Sequence, residues 1–275
     1  MKGIVNIKAY VNTIFITLCY IAVAFFVKLF LRLSFQNKHD EDIIKRRFWR
    51  RILKILNLDR EIEAYSFLIK GYLNIRPKFF GDIFSLFPIK SEKPVVKLFR
   101  KLPESSIVFD VGAHIGKYTL MASPKANLVI AVEAEPSNFK ILEKNIKTNN
   151  LENINAFNVA ASRTNGVANL YLGEDSSTHS LSIDLRKKES IIVESRTLDS
   201  LIELNKSKID LIKIDVEGAE LAVLAGAQKC LNNIRIIAIE IHREENKQKI
   251  VNLLEKNGLS TYCEGKFVIG KRECD

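Results

Sequence analysis

Val108–Tyr118, VFDVGAHIGKY, is the stretch on which the fold is read. Ile107–Phe109 is a short apolar run of the kind that forms a buried strand, and Asp110 opens a turn whose Gly112 and Gly116 let the backbone pass close to a ligand. KYTLMAS follows with helix-forming character, so the turn ends at a helix N-terminus, where free backbone amides attract a carboxylate or phosphate. The spacing is D-x-G-x-x-x-G rather than the dinucleotide pattern G-x-G-x-x-G, and a glycine turn alone is a weak signal. The next strand, Leu128–Glu133, strengthens it by ending on an acid about 20 residues after the glycines, where a carboxylate can hydrogen-bond a ribose. Farther on, IDLIKIDVEGAELAVLAGA, Ile209–Ala227, puts Asp215 and Glu217 at the tip of a third buried strand, and IRIIAIEIH, Ile234–His242, ends a fourth on Glu240 and His242. All these residues are expected at one end of one sheet.

From these runs the chain resembles the FkbM family of S-adenosylmethionine-dependent methyltransferases. The residues that carry the resemblance are Asp110–Gly116, Glu133 and Pro136 with Phe139 and Asn145 behind them, DVEGAE at Asp215–Glu220, and IEIH at Ile239–His242, within a span of roughly Pro94–Gly270. His114 stands where the family has Asn, and Glu133-Ala134-Glu135-Pro136 replaces the usual Glu-Pro-x-Pro. The resemblance implies an α/β fold with a doubly wound, Rossmann-like class I methyltransferase sheet and S-adenosylmethionine as cofactor. It implies that Asp110 binds the methionyl end, with Gly112, Ala113 and Gly116 forming the turn around it. Glu133 then accepts from the ribose and Ala160 borders the adenine. The reaction so implied is methyl transfer to a hydroxyl of a sugar or glycoconjugate; a lipid or polyketide-like hydroxyl, or a silent cofactor-fold module, are the competing readings. The intact Asp110, Glu133 and DVEGAE speak against silence.

Charge separates the chain into two parts. Residues 1–101 carry 20 Lys and Arg against 8 Asp and Glu, and residues 102–275 carry 22 against 24. A nucleic-acid enzyme concentrates basic residues around its cleft, so no nucleic-acid partner is expected, and a basic appendage beside an apolar run suits an anionic lipid surface. Cys19, Cys230, Cys263 and Cys274 are scattered without a C-x-x-C pair, which argues against a zinc knuckle or a disulfide framework. The pattern specifies no oligomeric state.

Ala9–Val27 is a run of 19 residues without a charge, about 30 Å as a helix and comparable to a bilayer core. Asn12, Thr13 and Thr17 dilute it, leaving an interfacial or a buried core helix as alternatives to a span. Lys28, Arg32, Lys38, Lys45, Arg46, Arg47, Arg50 and Arg51 cluster on its C-terminal side, which the positive-inside rule places in the cytosol. The expected organisation is therefore a membrane-anchor helix over 1–36, a basic helical region over 37–100 with amphipathic spacing across 40–75, and a cytosolic methyltransferase domain over 101–275, joined in a single-pass protein.

From Pro103 the pattern alternates as a doubly wound sheet requires: strand 107–111, helix 117–123, strand 128–133, helix 137–149 and strand 154–159. A hairpin excursion over 162–173 leads into the polar loop Gly173–Leu181, the kind of segment that carries substrate contacts. Thr197 is expected to cap a short helix. Strand 209–214, helix 219–231, strand 234–240, helix 244–257 and a strand pair over 262–270 complete seven strands. Methyl transfer needs an in-line nucleophile about 3 Å from the methyl carbon, and a hydroxyl gains from a base that removes its proton. Asp215, Glu217 and His242 are the candidates for that chemistry, with Asp215 also placed to face the cofactor. Glu217 and Glu220 serve equally well as acids at a helix N-terminus, and His242 as a structural hydrogen-bonding group. Their spacing compels no metal ion. His114 and His179 are expected to stand by in the cofactor and substrate loops.

Overall fold

The computed structural model describes residues 7–18, 60–87, 90–181, 189–201 and 208–273, and the chain divides into two compact units, 1–87 and 88–275. In the first unit residues 7–18 form a helix, and Ile62–Ser66 (β1) pairs antiparallel with Gly71–Ile75 (β2). The helical spacing expected across 40–75 therefore does not reach its end: Lys70 takes φ 54° just before Gly71, and Ala64 and Ser66 are buried at every second position, as a pleated strand requires. The apolar positions that carried the helical reading, Ile43 to Leu56, lie outside the described residues.

The membrane-anchor expectation is corrected here. Among the described residues no helix is long and apolar enough to cross a membrane, so a single-pass protein is not supported. The polar residues that diluted the apolar run are the reason its first part packs on a hairpin. Asn12 Nδ2 donates to Glu63 O at 2.8 Å, Thr13 Oγ1 donates to Tyr65 O at 2.8 Å, and Tyr65 N donates back to Thr13 Oγ1 at 2.8 Å. Ala9, Thr13 and Ile16 are buried on that face, and Tyr10 stacks on Tyr65 with ring centroids 4.3 Å apart. Positions 19–59, which include the rest of the apolar run and the basic cluster after it, lie outside the described residues.

The second unit is built on a seven-stranded sheet. Ser106–Val111 (β3), Ala126–Val132 (β4), Ile154–Phe157 (β5), Ile209–Ile214 (β9), Ile234–Glu240 (β10), Ser260–Glu264 (β11) and Phe267–Lys271 (β12) lie in the order β11-β12-β10-β9-β3-β4-β5. The strands from β10 through β5 are mutually parallel, and β12 runs antiparallel to β10. Helices Lys93–Arg100, Lys117–Ala122, Pro136–Thr148, Glu220–Ala225, Gln228–Asn233 and Glu244–Lys256 flank it. The central strands are apolar runs rather than alternating ones because they are covered on both faces; Phe109, Ile130, Ile212, Ile214, Ile237 and Ile239 are all 1% exposed or less.

Register decides where the site falls. Val111 pairs with Val132 on one side and Ile214 on the other, and Ile214 pairs with Ile239. Parallel strands in that register end together, so Gly112, Glu133, Asp215 and Glu240 form one row just past the strand tips. The excursion after β5 is a separate sheet of Ala160–Ala161 (β6), Gly166–Leu172 (β7) and Glu189–Arg196 (β8), ordered β6-β8-β7.

Two local expectations differ. Helix 219–231 is broken into two at Gly226, where a Cβ would stand 2.1 Å from the Ser162 carbonyl oxygen, a close approach that only glycine allows. Thr197 makes no side-chain cap bond; its amide donates to Asn165 Oδ1 at 2.8 Å. The capping carboxylate nearby is Asp199, which accepts from Lys229 N and Cys230 N at 2.9 Å each.

Candidate active site

The glycine turn is a left-handed excursion at three points: Gly112 at φ 77°, His114 at φ 53° and Gly116 at φ 100°. A Cβ on Gly112 would lie 1.8 Å from the Asp215 carbonyl oxygen, and one on Gly116 2.7 Å from Leu142 Cδ1. These glycines thus clear space for the neighbouring β9 tip and for helix 136–148. Asp110 is fully buried beneath the turn; its Oδ2 accepts from Thr119 Oγ1 at 2.6 Å and its Oδ1 faces Lys213 Nζ at 3.2 Å. Ala113 is buried against Ala131 and Leu142.

Glu133, next along the row, is held by the chain that surrounds it. Oε2 accepts from His114 N at 2.8 Å, and Oε1 accepts from Glu135 N at 3.0 Å and Asn138 Nδ2 at 3.3 Å. Burial pushes its carboxyl up, against the charge of His114 and these hydrogen bonds. Among the described residues Oε2 has one donor, and a carboxylate oxygen takes two, so the group keeps an acceptor position of the kind a ribose hydroxyl needs. The unusual Glu-Ala-Glu-Pro run is explained by Glu135, which caps helix 136–148 by accepting from Ser137 N and Asn138 N ahead of Pro136 at its first turn.

Loop Gly173–Leu181 closes over this side. Ser176 Oγ lies 2.9 Å from His114 Nε2, Ser176 O accepts from Asn138 Nδ2 at 2.8 Å, and Ser180 Oγ donates to Glu217 O at 2.5 Å. Gly173 N donates to His179 Nδ1 at 3.0 Å, which places His179 within the loop. One polar loop therefore touches the glycine turn, the Glu133 segment and the DVEGAE turn. Ala160, expected beside adenine, is buried in a cluster with Leu170 and Val193.

On the other side of the row lies a dense ionic cluster. His242 Nδ1 is 2.9 Å from Glu220 Oε1, and its Nε2 is 3.3 Å from Glu217, 3.4 Å from Glu240 and 3.6 Å from Asp215. Burial alone would lower the imidazole pKa, but the hydrogen bonds of Glu217, Glu220 and Glu240 and the charge of Asp215 outweigh it and hold the ring up at about 12. Lys213 is buried from within β9, where its Nζ donates to Gly112 O at 2.9 Å and lies 3.6 Å from Asp215. Burial opposes its charge; the Asp110 and Asp215 carboxylates reverse the effect and raise it. Lys266 pairs with Glu240. Asp215 itself is pushed up to about 6, by burial first and by Glu240 and Glu217, against the pull of Lys213 and His242.

The cluster also bears on metal binding. Asp215, Glu240 and His242 present ligand atoms within 4.8 Å of one another, a spacing a divalent cation could bridge only with the His242 ring deprotonated. The sequence reading passed over Lys213, although a single charge inside the buried run LIKI was a usable signal, since such a charge needs a partner. Nothing local marked Lys266, which reaches Glu240 only because β12 pairs with β10.

The backbone at the DVEGAE turn is strained where it meets the cluster. Glu217 takes φ 52° and Gly218 φ 101°, and a left-handed non-glycine residue of this kind gathers at functional sites.

The chain is similar to known methyltransferases. A family model described as the methyltransferase FkbM domain matches residues 110–260. The chain is 28% identical over 213 residues to the hexuronic acid methyltransferase AglP of Haloferax volcanii, covering 70% of this chain and 82% of that protein. It is 28% identical over 177 residues to the 2-O-methyltransferase NoeI of Sinorhizobium fredii, covering 57% of this chain and 71% of that protein. Among solved structures, the precorrin-6y C5,15-methyltransferase of Geobacter metallireducens aligns with a TM-score of 0.43 and 13% identity, over 67% of this chain and 91% of that one.

Proposed function

Because this chain belongs to the FkbM methyltransferase family and is an S-adenosylmethionine-dependent methyltransferase, we propose that it methylates a hydroxyl of a sugar or glycoconjugate, with Asp215 as the base. The observation that carries the base assignment is the place of Asp215 in the row of strand tips, 29% exposed and 3.6 Å from both Lys213 Nζ and His242 Nε2, where burial with Glu240 and Glu217 pushes its carboxyl up to about 6. A base titrating near neutrality combines the right protonation state with useful proton affinity. His242, charged up to about 12, has no vacant lone pair at neutral pH and cannot take the proton. Its part is to position Asp215 and Glu217 and to keep their charges compatible at short range.

The bound cofactor supplies an electrophilic methyl group on a sulfonium. The chain supplies the alignment: Glu133 accepts from the ribose, and Asp110, neutralised by Lys213, supports the glycine turn from beneath. Asp215 takes the acceptor's proton, and Glu217 accepts a hydrogen bond from a neighbouring hydroxyl. The sugar class is supported by the relatives AglP and NoeI, whose names specify a hexuronic acid and a 2-O position. The test is incubation of the purified protein with labelled S-adenosylmethionine and separate sugar, glycolipid and glycan-free lipid acceptors, with the methylated atom located by mass spectrometry. Methylation of the glycan-free lipid alone overturns the sugar reading, and cofactor binding without transfer to any acceptor overturns the catalytic one.

A further inference from the structure

A cavity of about 450 Å³ opens between the small sheet and the DVEGAE turn, within the size of sites that enclose a small ligand. Its floor is Gly218 and Ala219, and its walls include Tyr171, Asn169 and Arg163. Gly218 follows Asp215 by three residues, so the floor lies within roughly 11 Å of the proposed base, the reach of a fully extended chain of that length. Leu181, at the end of the loop that bonds to Glu217 O through Ser180, closes another side. A ligand seated here can extend from the cavity to the strand tips.

The charges decide its chemistry. Among the described residues, Arg163 is the one charged residue that lines the cavity, and it has no hydrogen-bond or ion-pair partner there. Glu217 and Glu220 flank the floor residues Gly218 and Ala219 in the chain, and they belong to a cluster in which Asp110, Asp215, Glu217, Glu220 and Glu240 stand against the cations Lys213, His242 and Lys266. An acceptor with a negative group is repelled by that acidic cluster and held by the guanidinium, whose planar fork matches a carboxylate with two parallel hydrogen bonds. The arrangement orients the acceptor, its acid outward at Arg163 and a neutral hydroxyl inward at Asp215. Tyr171 offers an aromatic face for the C–H side of a pyranose, and Asn169 an amide for its hydroxyls.

Resting on the sugar-methyltransferase reading, we infer that this cavity is the acceptor subsite and that Arg163 selects a sugar carboxylate, so that the substrate class is a hexuronic acid or a glycan ending in one. Arg163 is exposed and pairs with no other described residue, so its substitution leaves the fold intact. The experiment compares p-nitrophenyl hexuronides with the matching hexosides in the full chain and in Arg163→Ala and Arg163→Lys. The wild type should favour the hexuronide in kcat/KM, and Arg163→Ala should reduce that preference by about tenfold or more, the worth of a charge-assisted pair. The loss should appear as a raised KM for the hexuronide, be partly recovered in Arg163→Lys, and leave S-adenosylmethionine affinity by calorimetry unchanged. Equal kcat/KM for both sugars in the wild type, or a preference that survives Arg163→Ala, overturns the inference and leaves sugar methylation standing. A hexuronide that binds in an Arg163-dependent way but is never methylated supports the cavity and overturns the reaction. A hexuronide neither bound nor methylated overturns the inference, and only failure of the hexosides as well overturns the sugar reading.

Discussion

Replacing His242 with Asn removes the one cation that four carboxylates share while keeping an amide donor for Glu220. The wild-type imidazole is charged up to about 12, far above the ordinary value of about 6.5. Below pH 6.5 the ring is charged in both the folded and the unfolded chain, and its full contribution is present. Above that the unfolded chain releases the proton and the folded one retains it, so stability falls with rising pH, by about 1.4 kcal/mol per pH unit from this group, until the folded ring itself titrates near 12. His242→Asn lacks this slope. At pH 6 the variant should be less stable by about 3–5 kcal/mol, as for other buried ion clusters that lose one partner, and the gap should narrow by about 2–3 kcal/mol between pH 7 and 9. The active site gives a second reading. At 3.6 Å and an effective dielectric constant near 20, the pull of His242 on Asp215 is about 4–5 kcal/mol. The two side chains are 19% and 29% exposed, and the water reaching them reduces the effect, so that the acid limb of kcat should move up by about one to two pH units. Urea unfolding followed by circular dichroism at pH 6, 7, 8 and 9 measures the first effect, and a pH–rate profile the second. A stability gap that stays constant across this range, or an unmoved acid limb, refutes the account of His242 as an imidazolium.

Asp215→Asn should abolish turnover while calorimetric affinity for S-adenosylmethionine stays within about threefold, and the wild-type kcat should fall as pH drops through about 6; retained turnover assigns the base elsewhere. Glu133→Ala should weaken cofactor binding by about 10-fold to 150-fold, the equivalent of a charge-assisted hydrogen bond of about 1.5–3 kcal/mol, and a change below about threefold means that the ribose is held by other groups. Gly112→Ala should lower the melting temperature as well as cofactor affinity, because the left-handed φ costs about 1–2 kcal/mol in any other residue and the added Cβ meets Asp215 O at 1.8 Å. An unchanged melting temperature with lost binding would show that the glycine faces the ligand after all.

Much of the catalytic unit was legible because its signals are local. The strand before the glycine turn, the acid ending β4, the DVEGAE turn and the alternation of strands and helices depend on apolar period and turn chemistry within a few residues, which act alike in any chain that carries them. Once the strands are parallel and in register, residues at their tips must gather, so the positions of Asp110, Glu133, Asp215 and His242 at one edge follow from sequence. What they do there does not. His242 reads as a base in isolation, and its hold on a proton rises only when Glu217 and Glu220 of the DVEGAE turn join Glu240 of its own strand end around the ring. Lys213 and Lys266 are surface-type residues by composition, and burial beside Asp110 or strand pairing with β10 gives them their partners. The same holds at the N-terminal end, where an uncharged run read as a bilayer span, while Asn12 and Thr13 had backbone partners waiting on a hairpin some 50 residues away. Hydropathy and spacing are properties of the neighbouring chain; a pKa, a buried pair or a packing face is set by distances through space, and those exist only after the fold has brought remote segments together.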